Sequence, residues 1–245
     1  MAHLGRVARQ AHPIGSPQHD GVRGLLVERL GSMGLDPEIQ TETVAMRDSG
    51  VVRAATVRNV VARIPGSATT GAVALVAHYD GAPLSPGASD DALGVAAVLE
   101  TARAVTAGGQ LRNDLVVVFT DGGELGGLGA RAFVADHPWA GDVAVALAVE
   151  ARSGAGPAMA VEGPSGVGSF VSWSGGWGPG TTSLGRALLG GSGPHDELVP
   201  FLDTGTEGLR LSTVGAPTLR HQPADVPADV SEATLQDVGR QLLAL

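Results

Sequence analysis

Five stretches of the chain end an apolar run, or follow one closely, with residues that bind cations or move protons. Val73 to Ala77 runs into His78-Tyr79-Asp80, and the loop beyond it carries Asp90-Asp91 at the start of a helical pattern. Leu115 to Phe119 runs into Asp121-Gly-Gly-Glu124, and Val143 to Val149 into Glu150-Ala-Arg152. Near the C-terminus, Arg220-His221-Gln-Pro-Ala-Asp225 follows a further short apolar stretch. Two histidines and three carboxylates gathered at one sheet edge form a hard, anionic pocket that mutual repulsion disfavours unless cations fill it. That donor mix suits zinc, or two divalent ions sharing a bridging carboxylate. Asp80, two residues beyond His78, is placed to orient a ligating imidazole.

Composition narrows the chemistry further. The chain has 245 residues with no Cys, and all 16 basic residues are Arg. That removes thiol nucleophiles, disulfides and thiolate metal sites, together with lysine Schiff bases and the lysine of a phosphate loop. A net charge of −9 argues against nucleic acid as a partner. The N-terminus lacks the apolar core of a signal peptide, and no apolar run reaches the ~20 residues that span a bilayer. These features predict a cytoplasmic chain without membrane contact, or an extracytoplasmic one if a leader or anchor precedes it.

The elements that must position these residues are legible as alternation. A helix is expected over 20–34, strands over 37–46 and 52–64, a buried strand over 73–78 and a helix over 91–106. Then come a strand at 115–119, a helix at 127–136 and strands at 143–149 and 158–161. A Gly/Ser/Trp loop over 163–183, a short helix at 184–189, a strand at 208–213 and a last helix from Ser231 complete the pattern. Strands alternating with helices imply a mostly parallel sheet with helices on both faces, within one domain over 1–245. In such sheets the site lies at the carboxyl ends of the strands. The remaining histidines, His3, His12, His19 and His137, have no such setting and are taken as structural or solvated. His195-Asp196-Glu197 either lines the pocket or caps the helix that follows. A serine nucleophile elbow is absent.

The stretches VALVAHYDGAPLSPGASDDALGVAAVLETAR, LVVVFTDGGELGGLGARAFV, ALAVEARSGAGP and LRHQPADVPADVS resemble, in order and spacing, the co-catalytic zinc aminopeptidase family, relatives of glutamate carboxypeptidase and glutaminyl cyclase. The resemblance implies a three-layer α/β/α sandwich around a mixed, mostly parallel sheet. It implies a site in which His78 and Glu150 bind one zinc ion, Glu124 and His221 a second, and Asp90 bridges them, with one ion as the alternative. It also implies a small peptide or amide as substrate.

The departure is at Gly123. The family typically reads Asp-Gly-Glu-Glu-Leu-Gly, its first Glu acting as general base, where this chain has Asp121-Gly122-Gly123-Glu124-Leu125-Gly126. A positioned general base is worth ~10²–10⁴ in rate, so hydrolysis is expected to be impaired unless Asp121, Asp91 or Asp196 substitutes. The alternatives are an inactive pseudo-peptidase that keeps a binding pocket, and a cyclase or acyltransferase on the same fold. Arg152 and Arg220 are expected at the surface, or on a substrate carboxylate or carbonyl.

Overall fold

A computed structural model describes residues 1–162, 197–213, 215 and 219–244, leaving aside the side chains of 161 and 162. The loop expected over 163–183, the helix over 184–189, His195 and Asp196 lie outside those residues. The described elements run α1 (Ala2–Val7), α2 (Pro17–Ser32), β1 (Glu38–Asp48), β2 (Val51–Ile64), β3 (Ala72–His78), α3 (Leu93–Gly108) and β4 (Leu115–Thr120). They continue with α4 (Leu128–Asp136), β5 (Val143–Val149), β6 (Ala158–Glu162), α5 (Val199–Asp203), β7 (Glu207–Thr213) and α6 (Glu232–Ala244).

The strands form one sheet in the order β1-β2-β4-β3-β5-β7-β6. The four central strands, β4-β3-β5-β7, are parallel, while β1, β2 and β6 pair antiparallel at the flanks. Successive side chains of a strand point to opposite faces, and the two faces are buried in different cores. Leu75, Ala77, Val117 and Phe119 pack with residues of α1, α2, α3 and α6, whereas Ala74, Val76, Val116 and Val118 pack with Phe133 of α4 and Phe201 of α5. Burial on both sides explains why β3, β4 and β5 read as unbroken apolar runs. The fold is therefore the expected three-layer sandwich around a mixed sheet. Among the described residues no helix is long and apolar enough to cross a membrane.

Helix α2 starts earlier than its apolar stripe implies, because Ser16 caps it. The Ser16 hydroxyl accepts the His19 N–H at 3.1 Å, and Pro17 occupies the first turn, where no amide hydrogen is needed. Two short helices, α1 and α5, have too few residues to show a period in the sequence. Helix α3 begins two residues later than expected, and that shift shapes the site.

Candidate metal centre

The carboxyl ends of β3, β4 and β5 lie side by side, and each delivers a polar residue straight off a buried strand. His78 closes β3, and its Nδ1 lies 3.0 Å from the main-chain carbonyl of Asp80. The Asp80 carboxylate is 3.5 Å from the same nitrogen, and its two oxygens accept the N–H groups of Gly123 and Glu124 at 2.8 and 3.1 Å. Asp80 thus holds the imidazole mainly through its backbone, while its side chain pins the turn that carries Glu124. Those donors and His78 hold the Asp80 carboxyl below its ordinary range despite burial.

Asp90 and Asp91 do not enter the α-helix. Both sit in a tight turn over Ala88–Ala92 with non-helical backbone, and the peptide between them is cis. The turn sends the two carboxylates opposite ways. Asp91 accepts the Ala151 N–H at 3.0 Å, and Gly94 leaves it room, since a Cβ there would collide with its carboxylate. Burial, with Asp90 and Glu150 nearby, pushes the Asp91 carboxyl well above its usual range. Asp90 instead meets the C-terminal loop, where its Oδ2 lies 2.6 Å from Arg220 Nε and 3.0 Å from His221 Nε2. Against the cost of burial, the hydrogen bonds of His221 and His78 and the charge of Arg220 hold Asp90 far below the carboxylate range.

Glu124 completes a cluster. Its Oε2 lies 3.0 Å from His221 Nε2, and its Oε1 is buried without a hydrogen-bond partner. His221 takes a left-handed backbone (φ 60°), a conformation uncommon outside glycine, to turn its ring between the two acids. One donor atom each from Asp90, Glu124 and His221 lies within 4.8 Å of the others, a spacing able to hold a metal ion. Hydrogen bonds to the two acids raise the His221 pKa to about 9. The His221 nitrogen thus faces two carboxylates at once, and the orphaned Glu124 oxygen leaves a further acceptor beside it. Both facts fit a divalent ion.

The other expected ligands lie differently. His78 Nε2 is 3.6 Å from Asp90 Oδ1, at the edge of the cluster. Glu150, at the end of β5, is turned toward arginine. Its Oε2 faces Arg152 Nη2 at 3.1 Å and Arg210 Nη1 at 3.4 Å, and its Oε1 accepts the Glu197 N–H at 2.9 Å. Arg152 and Arg220 thus bind acids of this chain itself. Arg210 escapes a reading by periodicity, but a single charge in the buried strand Leu209-Arg-Leu211 is itself a signal, since a buried guanidinium needs an anion.

No side chain fits at Gly123. A Cβ there would stand 2.5 Å from His78 Cβ and 2.9 Å from a carboxylate oxygen of Glu197. Neither described candidate for a substitute base approaches this point. Asp121 is committed to His19 and the Arg58 N–H, each at 2.8 Å, and Asp91 to Ala151. The carboxylate that does face Gly123 belongs to Glu197, which is buried with both oxygens unpartnered and its pKa pushed up to about 7 by that burial.

Residues 59–245 match Peptidase family M28. The chain is 36% identical over 156 residues to a vacuolar membrane protease of Candida albicans, which covers 63% of this chain and 18% of that protein. The chain therefore spans less than a fifth of the length of the curated relatives it matches. Among solved structures it resembles glutaminyl cyclase of Porphyromonas gingivalis (TM-score 0.77, 22% identity, 98% of this chain and 94% of that one). It also resembles a zinc aminopeptidase of Bacillus subtilis (TM-score 0.78, 13% identity, 99% and 92%). The expectation of a cytoplasmic chain is overturned here, because the relatives matched are named as proteases of the vacuolar membrane. Net charge and the lack of an apolar span report on the chain's own surface and carry no address.

Proposed function

The chain belongs to peptidase family M28, and from that premise we infer that it is a zinc-dependent hydrolase of peptide or amide bonds whose turnover is lowered by the loss of the family's general base. The observation that carries this is the convergence of Asp90, Glu124 and His221 within 4.8 Å at the carboxyl edge of the sheet. An ion held there would supply Lewis acidity, to polarise a carbonyl and acidify water.

The chain's own residues set the terms. Asp90, Glu124 and His221 would hold the ion. Arg220, on Asp90 Oδ2, fixes the direction of that carboxylate. Asp80 fixes the turn under Glu124, so that two ligands are held by neighbours that do not themselves bind metal. Gly123 removes the proton acceptor, and the close packing of His78 prevents a simple return, so Gly123→Glu cannot restore the base unless that ring moves. The expected rate lies ~10²–10⁴ below that of a site with its base in place.

The same observation at Gly123 favours a second reading. A site that keeps its metal ligands and loses its base suits cyclisation or acyl transfer, where the nucleophile is not water.

The test is release of product from aminoacyl anilides and short peptides by the zinc-loaded chain, with and without chelator. Slow, chelator-sensitive hydrolysis is expected. Zinc-dependent cyclisation of an N-terminal glutaminyl peptide without hydrolysis would transfer the assignment to the second reading. Bound zinc with no turnover on either substrate would leave a pseudo-peptidase.

A further inference from the structure

Both carboxylate oxygens of Glu150 are engaged by donors of this chain. One oxygen takes the Glu197 N–H at 2.9 Å, and the other faces two guanidinium groups, Arg152 at 3.1 Å and Arg210 at 3.4 Å. Arg210 is fully buried on β7 and sits opposite Ala148 of β5 in the parallel register, a residue small enough to leave the guanidinium room beneath Glu150. A guanidinium does not give up its proton in a protein, and a buried charge has to be paired. Arg210 therefore stays beside Glu150, 3.4 Å from its Oε2, for as long as the sheet is intact.

The bridging position is engaged in the same way. Asp90 Oδ2 accepts from Arg220 at 2.6 Å, and its Oδ1 stands 3.6 Å from His78 Nε2. A second divalent ion on His78 and Glu150 would have to share one carboxylate with two guanidinium groups, at least one of which cannot withdraw into water.

We propose that the Glu150 half of the site carries the fixed charge of Arg210 and Arg152 in place of a second metal ion, so that the chain binds one divalent cation, on Asp90, Glu124 and His221. This rests on the metal centre inferred above and deepens it. The arginines supply positive charge on the far side of the pocket at no dependence on metal supply.

The experiment is a zinc titration of the metal-stripped full chain, read by native mass spectrometry and repeated with cobalt for its visible absorption. One ion per chain is expected, weakened more than 100-fold by Asp90→Asn and less than threefold by Glu150→Gln. Arg152→Ala combined with Arg210→Met is expected to admit a second ion; a folded double variant that still takes one overturns the replacement. If that variant does not fold, the wild-type count and the Glu150→Gln affinity decide. Two ions per wild-type chain, or a single ion lost with Glu150→Gln, would overturn this inference and leave the metal centre. No ion at all would remove both.

Discussion

The two halves of the pocket hold the same kinds of residue and treat them differently. On one side Asp90 and Glu124 close on His221, whose Nε2 lies 3.0 Å from each, with the part-exposed Arg220 also on Asp90. On the other, Glu150 closes on two arginines. Both halves solve one electrostatic problem, anionic side chains packed out of water, which is costly unless each is paired. The first solution is exchangeable, because a metal can displace a proton. The second is permanent, because the Arg210 guanidinium is fully buried and cannot withdraw into water as the part-exposed Arg220 can. A ligand type at the right strand end is therefore insufficient to define a metal site; the charge already facing it decides.

The largest effect that would break this contrast is at Arg210. Removing it as Arg210→Met takes the fully buried one of two guanidinium groups from Glu150 and leaves Arg152, and loss of one partner of a buried pair costs up to about 3–5 kcal/mol. Denaturant unfolding of the metal-free chain measures it, and adding Glu150→Gln is expected to recover most of the loss. A single-variant loss below about 1 kcal/mol would mean that Arg210 does not hold Glu150.

The second effect sharpens the contrast through a group paired with neither side. Glu197 is buried, with a pKa raised from 4.5 to about 7. The folded chain thus binds its proton more tightly than the unfolded one, so the stabilisation is complete below pH 4.5 and is lost as pH rises to 7. At about 1.4 kcal/mol per unit this amounts to ~3 kcal/mol. Glu197→Gln is expected to stabilise the metal-free chain by up to that amount at pH 8 and to flatten its stability profile between pH 4.5 and 7. An unchanged profile would show that the Glu197 carboxylate is solvated or paired in solution.

The smallest effect is steric. Gly123→Ala forces a methyl against His78 and the Glu197 carboxylate, and overpacking of this kind costs about 1–3 kcal/mol. A neutral result would show that the His78 ring has space to retreat, and would make Gly123→Glu a workable restoration of the base.

What was legible in the sequence follows the same division. Strands β3, β4 and β5 are legible because burial on both faces demands unbroken apolar runs, and the order of polar residues at their ends marks the functional edge. His78, Asp90, Glu124, Glu150 and His221 stand out as residue types at those ends. Their orientation does not. Asp90 turns toward His221 through the tight turn at 88–92, which delays to Leu93 the helix expected from 91. Arg210 reaches Glu150 only through the register that sets β7 beside β5, and Glu197 reaches Gly123 from 74 positions away in the chain. Pairings of this kind are products of the assembled sheet, and no local pattern encodes them.

The most direct test of the central claim is the zinc anomalous signal in a crystal of the zinc-loaded chain. One peak among Asp90, Glu124 and His221, with Glu150 still on Arg152 and Arg210, is the predicted result. A second peak ~3.5–4 Å away, the spacing of paired-metal sites, bound by His78 and Glu150, would contradict it.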